Sequence, residues 1–399
     1  MVSLNFVGLL IVAVIAVAAP LLAELVPGRV LPPVVVEVVA GVLVGPQVLG
    51  WVHVDVPITV LSFMGLGFVL FLAGLELEPD SLWSRQSRAA MVAFGVTLAI
   101  AFPLAAILKV AGAGADLRIL ALALTSTSLG VVVPILRDSG ESTSPFGQSV
   151  LVAASIGEFA SLVLLTVLFS ADPKSTPVQI VYVVGMVASA AVAVVIVTRW
   201  WGSRWFTDAL HRLDETTSQL RVRAAFVLLL VFAALADRFG VDAVLGAFVA
   251  GIVLRVANRD TGPAKERFTA KLHAIGFGFL VPIFFITTGM KLDVRAMFAD
   301  VHTLLLVPLF LVGMAVARGV PSLVLFRQFR RPAAVAAAAL QATSLTFPII
   351  ASTIGLSLHF MSRPTAAALV AAGLLSVIVF PIVALTLRPW TEPALAAEA

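Results

Sequence analysis

The chain has 399 residues, of which 60% are hydrophobic and only 12% are charged, and its formal net charge is +4. A soluble domain carries about 25% charged residues, so this composition excludes an ordinary water-exposed surface. The absence of cysteine excludes disulfides, thiolate catalysis and zinc–thiolate sites. Apolar runs of roughly 20 residues, long enough to cross a ~30 Å hydrocarbon core, recur along the chain and predict an all-α polytopic membrane protein.

Thirteen apolar runs follow one another, separated by loops rich in proline, glycine and charge. We predict transmembrane helices at 4–26, 30–49, 57–77, 89–111, 117–136, 146–170, 178–200, 221–238, 242–255, 272–289, 301–326, 333–357 and 364–387. The first is interpreted as a retained helix, because residues 1–26 lack the Lys or Arg that begins a signal peptide. The predicted organisation is one transmembrane domain at 1–390 and a short cytoplasmic tail at 391–399, without an appended regulatory domain.

The basic residues predict how these spans are oriented. With the N-terminus outside, the inside connections hold eighteen Lys and Arg residues and the outside connections seven. Because basic residues concentrate in cytoplasmic loops, this bias favours thirteen spans with a cytoplasmic C-terminus in the cell membrane. The high pI therefore reflects membrane orientation, and no nucleic-acid partner is predicted. The expected partner is the lipid bilayer.

Two spans carry clustered hydroxyl groups where pure hydrocarbon is expected. The fifth holds Thr125, Ser126, Thr127 and Ser128 ahead of Pro134, and the twelfth holds Gln341, Thr343, Ser344 and Thr346 ahead of Pro348. Proline cannot continue the helical hydrogen bonding, so both spans should kink or unwind. The alternative is that the hydroxyls only bond back to their own helix. The two clusters lie seven spans apart and therefore run in opposite directions, which indicates inverted repeats with a binding site at their discontinuous helices.

Glu158 lies about twelve residues into the sixth span, near the middle of the bilayer. Burying an ionised carboxylate there costs at least ~2.5–3.5 kcal/mol, so without a partner it would take up a proton. Arg318, in the eleventh span, is the candidate counter-charge; the alternatives are that it reaches toward the interface, or that a Glu158–Arg318 salt bridge only holds helices together. A carboxylate that accepts either a proton or a dehydrated cation, with oxygen ligands from the hydroxyls, would serve cation/proton exchange.

Two further acidic residues lie at or near span ends. Glu37 is a turn or two from the cytoplasmic end of the second span, and a structural or gating role suits it better than cation ligation. Glu76 ends the third span, where an interfacial position is the favoured interpretation. Both are secondary candidates. No cofactor is predicted, and the only metal expected is a monovalent cation at Glu158.

The chain resembles the monovalent cation:proton antiporters, in the branch of bacterial sodium/proton exchangers and the membrane part of glutathione-gated potassium efflux systems. The likeness covers residues 5–388 and is carried by PPVVVEVVAGVLVGPQVLG (32–50), MGLGFVLFLAGLELEP (64–79), TSTSLGVVVPILRDSG (125–140), FGVDAVLGAFVAGIVL (239–254) and VPIFFITTGMKLD (281–293). The GLELEP and GAFVAGIVL blocks are the most specific.

The resemblance implies thirteen helices in a core domain and a dimerisation domain, an elevator-like movement of the core, and a homodimer. It implies that the fifth and twelfth spans cross beside the ion site. The family's two-residue ion motif, such as Asn-Asp, falls on Gly157-Glu158, its embedded Lys or Arg on Arg318, and its coordinating Thr/Ser on the TSTS residues. Three features depart from the family: Gly157 replaces a polar residue, Glu158 is one methylene longer than the usual Asp, and the twelfth span lacks the usual Arg-Gly-Glu-like element.

The predicted function is exchange of Na⁺ or K⁺ for H⁺ by alternating access, with one proton per cation and no net charge moved. One alternative is a potassium efflux pathway regulated by a separate nucleotide-binding subunit. Another is a non-transporting membrane scaffold or sensor with the same fold. An enzyme is disfavoured, because the sequence offers no nucleophile–base pair or metal-ligand cluster.

Overall fold

The computed structural model describes residues 6–26, 31–76, 85–169, 219–238, 243–257, 263–292 and 300–390, together with single positions at 185, 188, 192, 195, 199, 294 and 295. Within these ranges the backbone is helical apart from short connections. An isolated antiparallel bridge joins Ala115 and Met361 in two of those connections.

Fourteen helices are labelled here in chain order. The first nine are α1 (Phe6–Glu24), α2 (Pro33–Val44), α3 (Val56–Glu76), α4 (Arg85–Val110), α5 (Leu117–Ala123), α6 (Leu129–Asp138), α7 (Pro145–Phe169), α8 (Leu220–Arg238) and α9 (Ala243–Ala257). Helix α10 comprises Pro263–Ile275 and Val281–Met290 joined by π-helical Gly276–Leu280, and α11 comprises Val301–Met314 and Val320–Leu325 joined by π-helical Ala315–Gly319. The last three are α12 (Arg331–Ala342), α13 (Thr346–Ser357) and α14 (Arg363–Thr386).

The all-helical polytopic class is confirmed. Eight of the described helical stretches are long and apolar enough to cross a membrane. Each predicted span is matched by helix except 178–200, which lies almost wholly outside the described residues. Helix α10 begins nine residues before its predicted span, because its first turns carry charge and so escape a search for apolar runs.

The two predicted interruptions are confirmed, but they lie at the hydroxyl clusters rather than at the prolines. Helix α5 ends at Ala123 and α6 begins at Leu129, while α12 ends at Ala342 and α13 begins at Thr346. Pro348 lies within the first turn of α13. Backbone N–H groups in a first turn make no hydrogen bond within their helix, so a proline at this position breaks none. The backbone breaks where Ser and Thr side chains can satisfy the freed polar groups.

The described helices fall into two compact units. The first contains α1, α2, α4–α6, most of α7, the end of α10 and α11–α14. In this unit α14 packs against α11, α12 and α13, and so lies behind the second interruption. The loops before α5 and α14 are tied together, since Asp116 N donates to Phe360 O at 2.8 Å and Ser362 N donates to Gly114 O at 2.7 Å.

The second unit contains α3, α8, α9 and most of α10. Its most extensive contact joins α3 to α9. Gly74 lies against the backbone of Phe248 and Gly251, and Gly251 lies against that of Phe71 and Gly74, so each glycine leaves room for the other helix. These glycines belong to the GLELEP and GAFVAGIVL blocks, which therefore act as a small-residue helix contact.

Candidate functional site

The Glu158 carboxylate is buried, with 2% of the residue exposed, and projects from α7 toward the start of α6. Its Oε2 accepts a hydrogen bond from Leu129 N at 2.9 Å. Leu129 is the first residue of α6, and the preceding Ser128 makes no side-chain cap of that helix. A helix start presents free N–H groups and the positive end of the helix dipole, so it stabilises a carboxylate. Glu158 therefore replaces the missing cap.

The two interrupted segments are hydrogen-bonded directly to each other. Ser126 Oγ and Ser344 Oγ lie 2.6 Å apart, and Ser128 Oγ and Thr346 Oγ1 lie 3.1 Å apart. Ser128 N donates to the carbonyl of Thr343 at 2.8 Å. The crossing of the fifth and twelfth spans is confirmed, and the hydroxyls hold it together rather than only bonding back within their own helix.

Arg318 lies in the π-helical turn of α11 and is 4% exposed. Its guanidinium donates to Gln341 Oε1 at 2.5 Å through Nη2 and to Thr127 Oγ1 at 2.9 Å through Nε. The carbonyl of Ala153 on α7 also accepts from Nη2, at 3.3 Å. A π-helical turn is a common device for aiming a functional side chain inward. Arg318 thus joins α7, α11 and both interrupted spans.

Gly157 makes room for this cation. A Cβ built on Gly157 would overlap the guanidinium of Arg318. The guanidinium of Arg318 therefore occupies the space that a side chain at position 157 would take.

The structure corrects one interpretation. The ion pairs found among the described residues do not include one between Arg318 and Glu158, since Arg318 is held by neutral acceptors and Glu158 by the start of α6. The direct partnership expected from the sequence, and a structural salt bridge with it, is therefore wrong. The side chain does not extend to the interface either. A counter-charge role acting through space stays a prediction.

Of the remaining predicted residues, some form hydrogen bonds at the crossing and others do not. Thr125 Oγ1 donates to Leu122 O at 2.7 Å, and the Gln341 amide donates to Val150 O at 2.8 Å. Thr343 contributes its carbonyl, while its hydroxyl bonds back to Ala339 O at 3.2 Å. Glu37 is buried on α2, and no hydrogen bond among the described residues joins it to the crossing. The side chain of Glu76 lies outside the described residues.

Two contributors to the site were not predicted from the sequence. Ser161 Oγ lies 2.8 Å from Thr125 Oγ1, one helical turn from Glu158 on α7. Ser376 on α14 accepts from Ser344 N at 2.9 Å and lies 3.0 Å from Ser344 O, which satisfies the second interruption. The position of Ser161 three residues after Glu158 was an available signal. Ser376 is a lone hydroxyl in an apolar helix, and its sequence position does not indicate its partner.

An all-helical membrane protein, with two crossed interrupted spans and a buried carboxylate at one helix start, has the architecture of a secondary transporter. The family described as sodium/hydrogen exchanger, transmembrane, matches residues 10–387. The chain therefore belongs to the sodium/hydrogen exchanger family, which is a family of transporters and not of enzymes.

The chain is also similar to individual relatives in sequence and to a solved structure in fold. The Bacillus subtilis protein YjbQ is 29% identical over 367 residues, which are 88% of this chain and 58% of YjbQ. The Na⁺/H⁺–K⁺ antiporter GerN of Bacillus cereus is 28% identical over 269 residues, 65% of each chain. The chain thus spans less than two thirds of the length of either relative. The sodium proton antiporter MjNhaP1 of Methanocaldococcus jannaschii shares the fold, with a TM-score of 0.66 at 14% identity, covering 98% of this chain and 100% of that one.

Proposed function

We propose that the protein is a secondary active transporter that exchanges a monovalent cation, Na⁺ or K⁺, for protons, with Glu158 as the shared site. The observation that carries the proposal is the position of the Glu158 carboxylate, buried and capping α6 beside the crossing of the interrupted spans. Membership of the sodium/hydrogen exchanger family supports the same activity, as does the name of GerN.

Competition at one carboxylate couples the two ions. A dehydrated alkali cation needs oxygen ligands. Leu129, whose N–H binds Glu158, directly follows the hydroxyl cluster of the first interruption, and Ser161, which meets Thr125, lies one helical turn from Glu158 on α7. The carboxylate binds the cation when it is ionised and loses its attraction for the cation when it is protonated. Alternating exposure of this site to the two sides of the membrane then moves the two ions in opposite directions.

Charge balance favours electroneutral exchange. Arginine stays protonated, so Arg318 contributes one positive charge in every state. A site with ionised Glu158 and one bound cation carries the same total charge as a site with protonated Glu158. One cation therefore exchanges for one proton without net charge movement.

The direct test of the proposal is Glu158→Gln in proteoliposomes that contain a pH-sensitive dye. The amide keeps the shape of the carboxyl but cannot bind a proton or neutralise a cation, so cation-driven pH change should fall to the level of empty vesicles. Glu266→Gln, at an exposed position on α10, is the matched control and should transport like the parent. Undiminished transport by a folded Glu158→Gln protein would contradict the proposal.

The same vesicles separate the alternatives and identify the cation. A panel of Li⁺, Na⁺, K⁺ and Rb⁺ gives the selectivity. Potassium flux that ignores a pH gradient would indicate an efflux pathway served by a separate regulatory subunit, and the absence of any cation-dependent pH change would indicate a non-transporting sensor. Homodimerisation and a cytoplasmic C-terminus stay predictions, which cross-linking and accessibility labelling would test.

A further inference from the structure

An open groove of ≈ 610 Å³ lies in the second unit, between the first turns of α8 and the middle of α10. Its apolar wall is formed by Val222 and Phe226 on α8 and by Ala274 and Ile275 on α10. Each helix also contributes one cation to the lining, Arg223 and Lys271. The groove belongs to the second unit, whereas the carboxylate site belongs to the first unit.

The spacing of residues on α8 and α10 places the apolar and the basic side chains together in the groove. Val222 and Phe226 are four residues apart on α8, and Lys271, Ala274 and Ile275 lie at i, i+3 and i+4 on α10, so each set occupies one helix face. Arg221 adds a third cation at the same end of α8; it is 2% exposed and its guanidinium lies 5.6 Å from the ring centre of Phe268. The wall of the groove is thus apolar, and Arg223 and Lys271 are the basic residues of its lining.

We propose that this groove binds an acidic phospholipid, with an acyl chain along the apolar wall and the phosphate headgroup at Arg223 and Lys271. Any phospholipid offers an apolar chain, so the chain does not select among lipids. The headgroup does, because each nearby Lys or Arg favours an anionic lipid, and two of them give a preference on the order of thirtyfold over a zwitterionic one.

The test measures lipid retention by the purified full-length protein, using native mass spectrometry with phosphatidylglycerol and phosphatidylcholine in competition. We expect the parent protein to favour phosphatidylglycerol by roughly ten- to thirtyfold. The double variant Arg223→Gln/Lys271→Gln should bring that ratio close to one. Ala274→Phe keeps the charges but fills the exposed groove, and it should reduce retention of phosphatidylglycerol.

A matched control is the double variant Lys109→Gln/Arg363→Gln, which removes one Lys and one Arg from a different pocket, of ≈ 840 Å³. The preference should survive this change; its loss there would mean that net charge alone attracts the lipid, and would overturn the proposal. Retention that is unaffected by Ala274→Phe would also overturn it, as would displacement of the lipid by soluble glycerol phosphate at equal concentration. Transport is not the readout, so this result is independent of the role of Glu158.

Discussion

At the scale of single residues, Gly157 and Arg318 occupy one shared volume. The guanidinium fills the space that a side chain at position 157 would need, and from there it reaches Gln341 and Thr127. The cost of burying this cation is offset by hydrogen bonds to three oxygen acceptors, on α7, on α12 and in the first interruption. Position 157 is therefore constrained by the geometry of Arg318.

Gly157→Ala should accordingly destabilise the protein by roughly 1–3 kcal/mol, the usual cost of overpacking a buried site. The added methyl group forces the guanidinium away from Gln341. Thermal unfolding in detergent measures the effect. Gly95→Ala on α4 is the control, because a Cβ there meets nothing within 4 Å, and its melting temperature should stay at or above that of the parent. Equal melting temperatures for the two variants would show that the Arg318 guanidinium does not restrict the side chain at position 157.

The sequence could predict the residues of the site better than their partners. Glu158 and the hydroxyl clusters are recognisable because polar groups in long apolar runs are costly. The binding of Arg318 to Gln341 Oε1 instead depends on how α11 and α12 face each other, and the capping of α6 by Glu158 depends on how α7 approaches the break. Such contacts are decided by packing in three dimensions, which hydropathy does not contain.

At the scale of elements, each interruption is completed by a helix other than its own. The first receives Glu158 from α7, and the second receives Ser376 from α14. Backbone without helical hydrogen bonds at membrane depth requires such partners. Prolines mark the interrupted spans in the sequence, but the buried donors and acceptors set where the helices end.

Ser376→Ala should weaken the second interruption by about 0.6 kcal/mol, the measured average for interhelical hydrogen bonds in membranes, and by no more than the measured maximum of about 1.7 kcal/mol. The variant leaves Ser344 N without its side-chain acceptor. Ser357→Ala is the control, since that hydroxyl is exposed and bonds back to Ile354 O. Thermal unfolding of both variants in the same detergent gives the comparison; a larger loss for the control would exclude a capping role for Ser376.

The α3–α9 contact makes a separate prediction in the second unit. A Cβ at Gly74 would overlap the carbonyl of Phe248, so Gly74→Ala should cost roughly 1–3 kcal/mol or reduce the yield of monodisperse protein. Gly67→Ala lies two turns earlier on α3, where the nearest atom would be Ala247 Cβ at 3.8 Å, and it should be tolerated. Size-exclusion profiles and melting temperatures report both effects, and a tolerated Gly74→Ala would show that the close approach is not required.

At the scale of the whole molecule, hydropathy was sufficient for the class and for the span boundaries to within a few residues in most places. The exceptions are physical: α10 begins with charged turns, and α2 ends early at Val44, before Gly45 and Pro46. The π-helical turns in α10 and α11 leave no mark in an apolar pattern, although the second of them carries Arg318.

Electroneutral exchange predicts that an imposed membrane voltage leaves the final ion gradients unchanged. If each cycle moved one net charge, 100 mV would be worth about 2.3 kcal/mol and would shift the equilibrium cation ratio on the order of fiftyfold. The measurement compares sodium-driven pH gradients in proteoliposomes at zero voltage and with 100 mV imposed by a lipophilic ion. A voltage-dependent end point would establish a different stoichiometry.

The hydrogen bond from Leu129 N to Glu158 couples the charge of this carboxylate to the backbone at the start of α6. An ionised carboxylate is a stronger acceptor for that amide than a protonated one, and it also responds to the dipole of α6. If Glu158 exchanges protons as proposed, each arrival or departure of a proton tightens or loosens the opening turn of α6, and the backbone at the crossing responds to the ion that the site holds.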